Sequence, residues 1–190
     1  NEALIATALQ AAEAARRTSS DEKRKALRNA VLNSALPDPP DEAVRQQFLS
    51  LVDRFSALHL RLLAFFDDPE KWLEVNGQPK PAKERIESIW DVVIYAMPDT
   101  KRDEQICELA VKDLHNSGLL LVESLHDKPH NYNFDPKRSR EQQSGYFDPW
   151  KSGSHEIYKG SPTMWRNWTT YLGVRFLKFV SEPAAPKQCS

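Results

Sequence analysis

The apolar residues Val44, Phe48, Leu51, Val52, Phe55, Leu58, Leu62, Leu63 and Phe66 recur at spacings of three and four, and no other feature limits the fold of this chain as strongly. Such a series lines one face of a helix and needs other elements to cover it, so it predicts the centre of a helical core. Ser56 stands inside the series as a residue able to cap a new start, which divides it into a helix over residues 42–54 and another over 57–66. Asp41 occupies the cap position of the first, and Asp67-Asp68-Pro69 closes the second.

The same period appears on both sides. Leu4, Ile5, Ala8, Leu9, Ala12 and Ala15 predict a helix from Glu2 to Arg17, and Thr18-Ser19-Ser20-Asp21 interrupts it. A second helix from Asp21 to Ala35, capped by Ser20 or Asp21, would turn Ala26, Leu27, Ala30, Val31 and Ser34 inward and leave Lys25 and Arg28 in solvent. Asn29 and Asn33 lie one turn apart beside that inward face. Buried amides need hydrogen-bond partners, so these two are expected to clamp a neighbouring helix. Pro37, Pro39 and Pro40 end the segment. After a loop at residues 76–81, Ile86, Ile89, Trp90, Val93 and Ile94 define another helix, stopped at Met97-Pro98. Thr100 then opens a helix carrying Ile106, Leu109, Ala110, Val111 and Leu114, with Gly118 as its C-terminal stop.

Beyond Gly118 the pattern changes. Leu119-Leu120-Leu121-Val122 reads as a short strand and residues 166–170 as a returning one, with a long polar and aromatic excursion from His126 to Pro162 between them. Leu172, Phe176, Leu177 and Val180 predict a final helix. The expected organisation is a helical N-terminal region over residues 1–55, a second domain over 56–182 with a wing at about 125–165, and a flexible tail at 183–190.

The stretch from Leu109 to Leu120 and the stretch from Thr169 to Leu177 resemble a winged-helix domain. The resemblance implies a mainly α fold in which a helical N-terminal region packs on a winged-helix-like domain with a small β-hairpin and a long wing insertion. It also implies that Leu109 and Leu114 pack inward, that Gly118 turns into the first wing strand, and that Leu172-Gly173 begins the closing helix. Arg16-Arg17-Thr18, Glu22-Lys23 and residues 27–36 are similar to the helical region of uncharacterised bacterial proteins, a similarity that implies no known activity.

Charge narrows the functional classes. With a net charge of -1, the whole molecule has no field that draws it to nucleic acid or anionic lipid, so any such binding must be local. A DNA-reading helix over residues 100–116 should offer Lys and Arg, but Lys101, Arg102 and Lys112 are outnumbered there by Asp103, Glu104, Glu108 and Asp113. The excursion is richer in cations. Lys137, Arg138, Arg140, Lys151, Lys159 and Arg166 are the candidate nucleic-acid contacts, and Tyr132, Phe134, Tyr146, Phe147 and Trp150 the candidate interaction residues, since aromatics stack bases or anchor protein interfaces. Equally, those rings would pin a long loop to its own domain.

No nucleophile elbow, phosphate loop or dinucleotide fingerprint is present, so no catalytic residue is assigned and an enzyme is not expected. His126 and His130 lack a CxxC or HExxH companion, and Cys107 sits on an apolar helix face, so neither a metal nor a cofactor is expected. Two cysteines, Cys107 and Cys189, make a poor disulfide framework and point to a reducing, cytoplasmic setting. No apolar run of the length a bilayer requires occurs. The chain begins at Asn1 in the middle of a helical pattern, so an upstream segment is expected. The leading expectation is a non-enzymatic interaction or regulatory module acting through protein contacts, self-association included. The alternatives are a nucleic-acid-binding regulator of winged-helix type and the sensor half of a larger effector.

Overall fold

The computed structural model describes residues 2–79, 88–126 and 167–183. Among them eight α-helices follow one another: α1 Glu2–Arg16, α2 Asp21–Ser34, α3 Glu42–Arg54, α4 Ala57–Asp67, α5 Pro69–Val75, α6 Ile89–Ala96, α7 Glu104–Asn116 and α8 Tyr171–Val180. A 3-10 turn at Pro98–Arg102 precedes α7, so the helix expected from Thr100 begins as this tighter turn. The chain divides into two compact units, one of residues 1–61 with 174–190 and one of residues 62–173.

Local chemistry accounts for most of the helix ends. Ser20 caps α2 by accepting from the Lys23 N–H at 3.2 Å. At the start of α4, the His59 ring accepts the Ser56 N–H at 3.2 Å and pairs with its hydroxyl at 2.8 Å. Asp41 holds the N-cap position of α3, but its side chain makes no capping bond. Helix α5 was not expected. Its start nevertheless carries an ordinary signal, with Asp68 accepting from the Lys71 N–H at 3.0 Å and Pro69 in the first turn, where a missing N–H costs nothing. Ser88 and Asp91 form a reciprocal capping box at α6.

In the first unit, α1 packs on α2 and α3. The core is aromatic. Phe48 meets Phe176 edge-on with ring centroids 5.4 Å apart and Phe179 at 5.5 Å, and Phe55 approaches Phe176 at 6.3 Å. Leu27, Ala30, Leu49 and Val52 are buried with them. Here the expected faces need correction. Helix α1 buries Thr7, Ala11 and Ala14 and leaves Ile5 and Leu9 exposed, because small side chains allow a close approach to its neighbours. On α2, Ala26, Leu27, Ala30 and Ser34 are buried as expected, and Asn29 and Asn33 join them.

Those two amides end α8. Asn33 Nδ2 donates to Phe179 O and Ser181 O, each at 2.8 Å, and approaches Lys178 O at 3.3 Å, while Asn29 Nδ2 donates to Val180 O at 3.1 Å. The last carbonyls of a helix lack intrahelical donors, and here side chains from α2 supply them. The expected clamp is present.

In the second unit, Leu62, Leu63, Phe65 and Phe66 of α4 are buried with Leu73, Val92, Val93, Val111 and Leu114. Phe66 lies against Trp168 with centroids 5.4 Å apart. The predicted two-stranded ribbon is not found among the described residues. Leu120 and Thr169 form a single antiparallel bridge, with Leu121 N–H donating to Trp168 O at 2.8 Å and Thr170 N–H to Leu119 O at 3.0 Å. A ladder fails to extend because neighbouring groups have other partners. Trp168 N–H donates to Phe66 O, and Leu119 N–H donates back to Leu114 O at the end of α7. Leu109, expected inside, is 61% exposed, whereas Leu114 is fully buried.

The two stretches that were to border the ribbon do meet. Gly118 turns with φ 71°, a region that favours glycine, and Thr170 Oγ1 donates to its carbonyl at 2.6 Å. A Cβ on Gly173 would lie 2.2 Å from Leu119 O, so the backbones are too close for any side chain there.

Candidate interaction surface

The residues singled out from the sequence as contacts, Tyr132, Phe134, Lys137, Arg138, Arg140, Tyr146, Phe147, Trp150, Lys151, Lys159 and Arg166, all lie outside the described residues. Helix α7, which covers most of the helix expected from Thr100, lies within them. Its inner side is Cys107, Ala110, Val111 and Leu114, all buried. Its outer side carries Ile106 and Leu109, 58% and 61% exposed, one turn apart.

The charges on α7 are engaged locally. Glu108 Oε2 accepts the Leu125 N–H at 2.8 Å, and its other oxygen lies 3.2 Å from Lys112 Nζ. Burial works to raise the carboxyl pKa of Glu108, but hydrogen bonds from Leu125 N–H, Lys112 and Ser124 outweigh it and hold the group below its ordinary range. Glu104 Oε1 stands 3.8 Å from His126 Nε2. Lys112, a cation that a DNA-reading helix would offer to phosphate, is thus committed to Glu108. Ile106 and Leu109 share the exposed side of α7 with Gln105, Lys112, Asp113 and Asn116.

A second polar cluster positions the chain that returns to α8. Asp67 Oδ1 accepts from Asn167 Nδ2 at 3.0 Å and from Thr169 Oγ1 at 2.7 Å, and Asn167 Oδ1 accepts the Thr169 N–H at 2.8 Å. Asp67 therefore anchors residues 167–169, beyond the helix-ending role read from Asp67-Asp68-Pro69. Nothing in the local sequence signals this, because Asp67 and Asn167 are separated by 100 positions.

His115 Nδ1 lies 3.2 Å from Leu120 O. Among the described residues no group of three or more His, Cys, Asp or Glu side chains is arranged to hold a metal ion, and no helix is long and apolar enough to cross a membrane. His130, His155 and Cys189 fall outside them.

Exposed large apolar side chains are the remaining feature of chemical interest. Besides Ile106 and Leu109, α1 presents Ile5 at 60% and Leu9 at 62%, and neither pair was recognised as a surface in the sequence, where all four counted as apolar positions of a helix and Leu109 alone was placed inside. Comparison with protein-family models, with curated proteins and with solved structures finds no match to this chain.

Proposed function

We propose that this chain is a non-enzymatic interaction or regulatory module that works through protein–protein contacts. The observation that carries the reading is the outer face of α7, where Ile106 and Leu109 are exposed together while Lys112 is held by Glu108. Aliphatic pairs of this kind gain from being covered by another protein and gain nothing from a phosphate backbone. The winged-helix-like plan enters the proposal only through the resemblance of residues 109–120 and 169–177, and without its hairpin, since the described segments pair through one bridge. A bacterial, cytoplasmic setting belongs to the same reading.

The test compares the intact chain with an Ile106→Ser, Leu109→Ser double variant. Cross-linking in the native host should recover a defined protein with the wild-type chain, and the double variant should lose it while keeping its helical circular dichroism. Fluorescence anisotropy against duplex and single-stranded DNA at low salt serves as the counter-measurement. Tight binding that weakens steeply with added salt would replace this reading with the nucleic-acid regulator, acting through the cations of residues 137–166.

A further inference from the structure

The outward side of α1 carries a pattern that points to a particular partner. Glu2, Ile5, Leu9, Ala12 and Arg16 are all exposed and follow one another at spacings of three, four, three and four. At 3.6 residues per turn they fall within roughly 80° of one another, the geometry of a coiled-coil seam. The seam lies opposite Thr7, Ala11 and Ala14, the face by which α1 joins its own unit. Its larger aliphatic side chains, Ile5 and Leu9, are therefore the ones left uncovered, at 60% and 62% exposure.

The order of residues along the seam is self-complementary when it is read against its own reverse. Place a second α1 antiparallel to the first about a two-fold axis at Leu9. Leu9 then meets Leu9, Ile5 meets the partner's Ala12 so that a large side chain packs against a small one, and Glu2 meets the partner's Arg16 at both ends. A parallel arrangement would instead set Glu2 beside Glu2 and Arg16 beside Arg16. Charge thus selects the antiparallel pair, and opposed helix dipoles agree with it.

We propose that α1 is a homotypic docking helix that pairs antiparallel with α1 of a second copy of this chain through Ile5, Leu9 and Ala12, with Glu2–Arg16 pairs closing both ends. The proposal rests on the reading of the chain as an interaction module and names one of its partners. One helix pair of this length buries less than a standard interface, so the dimer is weak, with a dissociation constant on the order of tens of micromolar.

Sedimentation equilibrium over a hundredfold concentration range tests it with the full chain. The wild type should pass from monomer to dimer, and Leu9→Lys, a change at an exposed position, should raise the dissociation constant at least about a hundredfold with helical content unchanged. The charges give a second readout. Glu2→Lys and Arg16→Glu should each remain monomeric alone, because each places two like-charged pairs in its own dimer, and the equimolar mixture should associate as strongly as the wild type. For orientation, in a Cys189→Ser background, Leu9→Cys should oxidise to a disulfide dimer and Ile5→Cys should not. A wild type that stays monomeric throughout overturns the proposal, as do charge variants that associate no better mixed than alone, or equal cross-linking at positions 5 and 9. None of these results touches the Ile106/Leu109 experiment, so the two readings fail separately.

Discussion

Replacing Asn33 by alanine should cost far more stability than replacing Asn29, although both are buried amides on α2 that reach the end of the same helix. Asn33 Nδ2 has two N–H groups and spends them on Phe179 O and Ser181 O at 2.8 Å, with Lys178 O close by at 3.3 Å. Alanine strands these carbonyls at the C-terminus of α8, where the helix offers no replacement donor. Stranding a buried acceptor costs about 1–3 kcal/mol, and water can reach the partly exposed ones, so Asn33→Ala should lose about 2–4 kcal/mol. Asn29 makes one bond, at 3.1 Å to Val180 O, and its own Oδ1 is buried without a partner. Removing the side chain strands one acceptor but abolishes another, so Asn29→Ala should fall within about 1 kcal/mol of the wild type. A gap of about 2 kcal/mol corresponds to roughly 1 M in the urea midpoint for a domain of this size. Urea titration followed by circular dichroism at 222 nm reads it directly. Asn33→Leu should be at least as destabilising as Asn33→Ala, because leucine keeps water from the stranded carbonyls. The reasoning is refuted if Asn29→Ala is as costly as Asn33→Ala, or if leucine at position 33 is tolerated.

Other consequences follow from single contacts. Gly173→Ala should destabilise residues 62–173 by about 2–4 kcal/mol despite the higher helix propensity of alanine, because its Cβ would overlap Leu119 O; Trp72, Trp90 and Trp168 all lie in that unit, so thermal unfolding followed by Trp fluorescence measures it, and an unchanged or raised Tm would contradict the close approach. Glu108 has a depressed folded pKa, so its contribution is present above the ordinary value of 4.5 and disappears as pH falls through the lower folded value. Glu108→Gln should accordingly cost about 1–2 kcal/mol near pH 7 and progressively less as the pH falls below 4.5, as denaturation over a pH series will show. Arg45 is 8% exposed with its Nε buried and unpartnered, so Arg45→Met, which keeps the aliphatic stem, should leave stability within about 1 kcal/mol or raise it. A fall in the urea midpoint equivalent to several kcal/mol would mean that the guanidinium is held by a partner.

Several features were legible before any coordinates. The break at Ser56, the bounds of α3 and the stop at Gly118 could be read from residues a turn apart, and so could the partnering of Asn29 and Asn33, since a polar residue beside an apolar stripe needs a hydrogen bond. Helix α5 could have been read from Asp68-Pro69 had the pair been taken as a start as well as a stop. The exposure of Ile5 and Leu9 was not legible, for a reason particular to α1. Periodicity shows that a helix has an apolar side, but α1 also has an alanine-rich side, and the two compete for the same neighbour.

By itself the sequence determined that this chain is mainly helical and where most of its helices start and stop, because caps, prolines, glycines and the 3.6-residue period act over distances of one turn. Only the tertiary structure decided which side of α1 is covered, that residues 174–183 group with 2–61, that Asp67 anchors residues 167–169, and that the expected ribbon is a single bridge among the described residues. Those outcomes depend on the shape and unpaired groups of segments many residues away. A local pattern cannot encode which distant carbonyl will lack a donor, or how closely two backbones will approach.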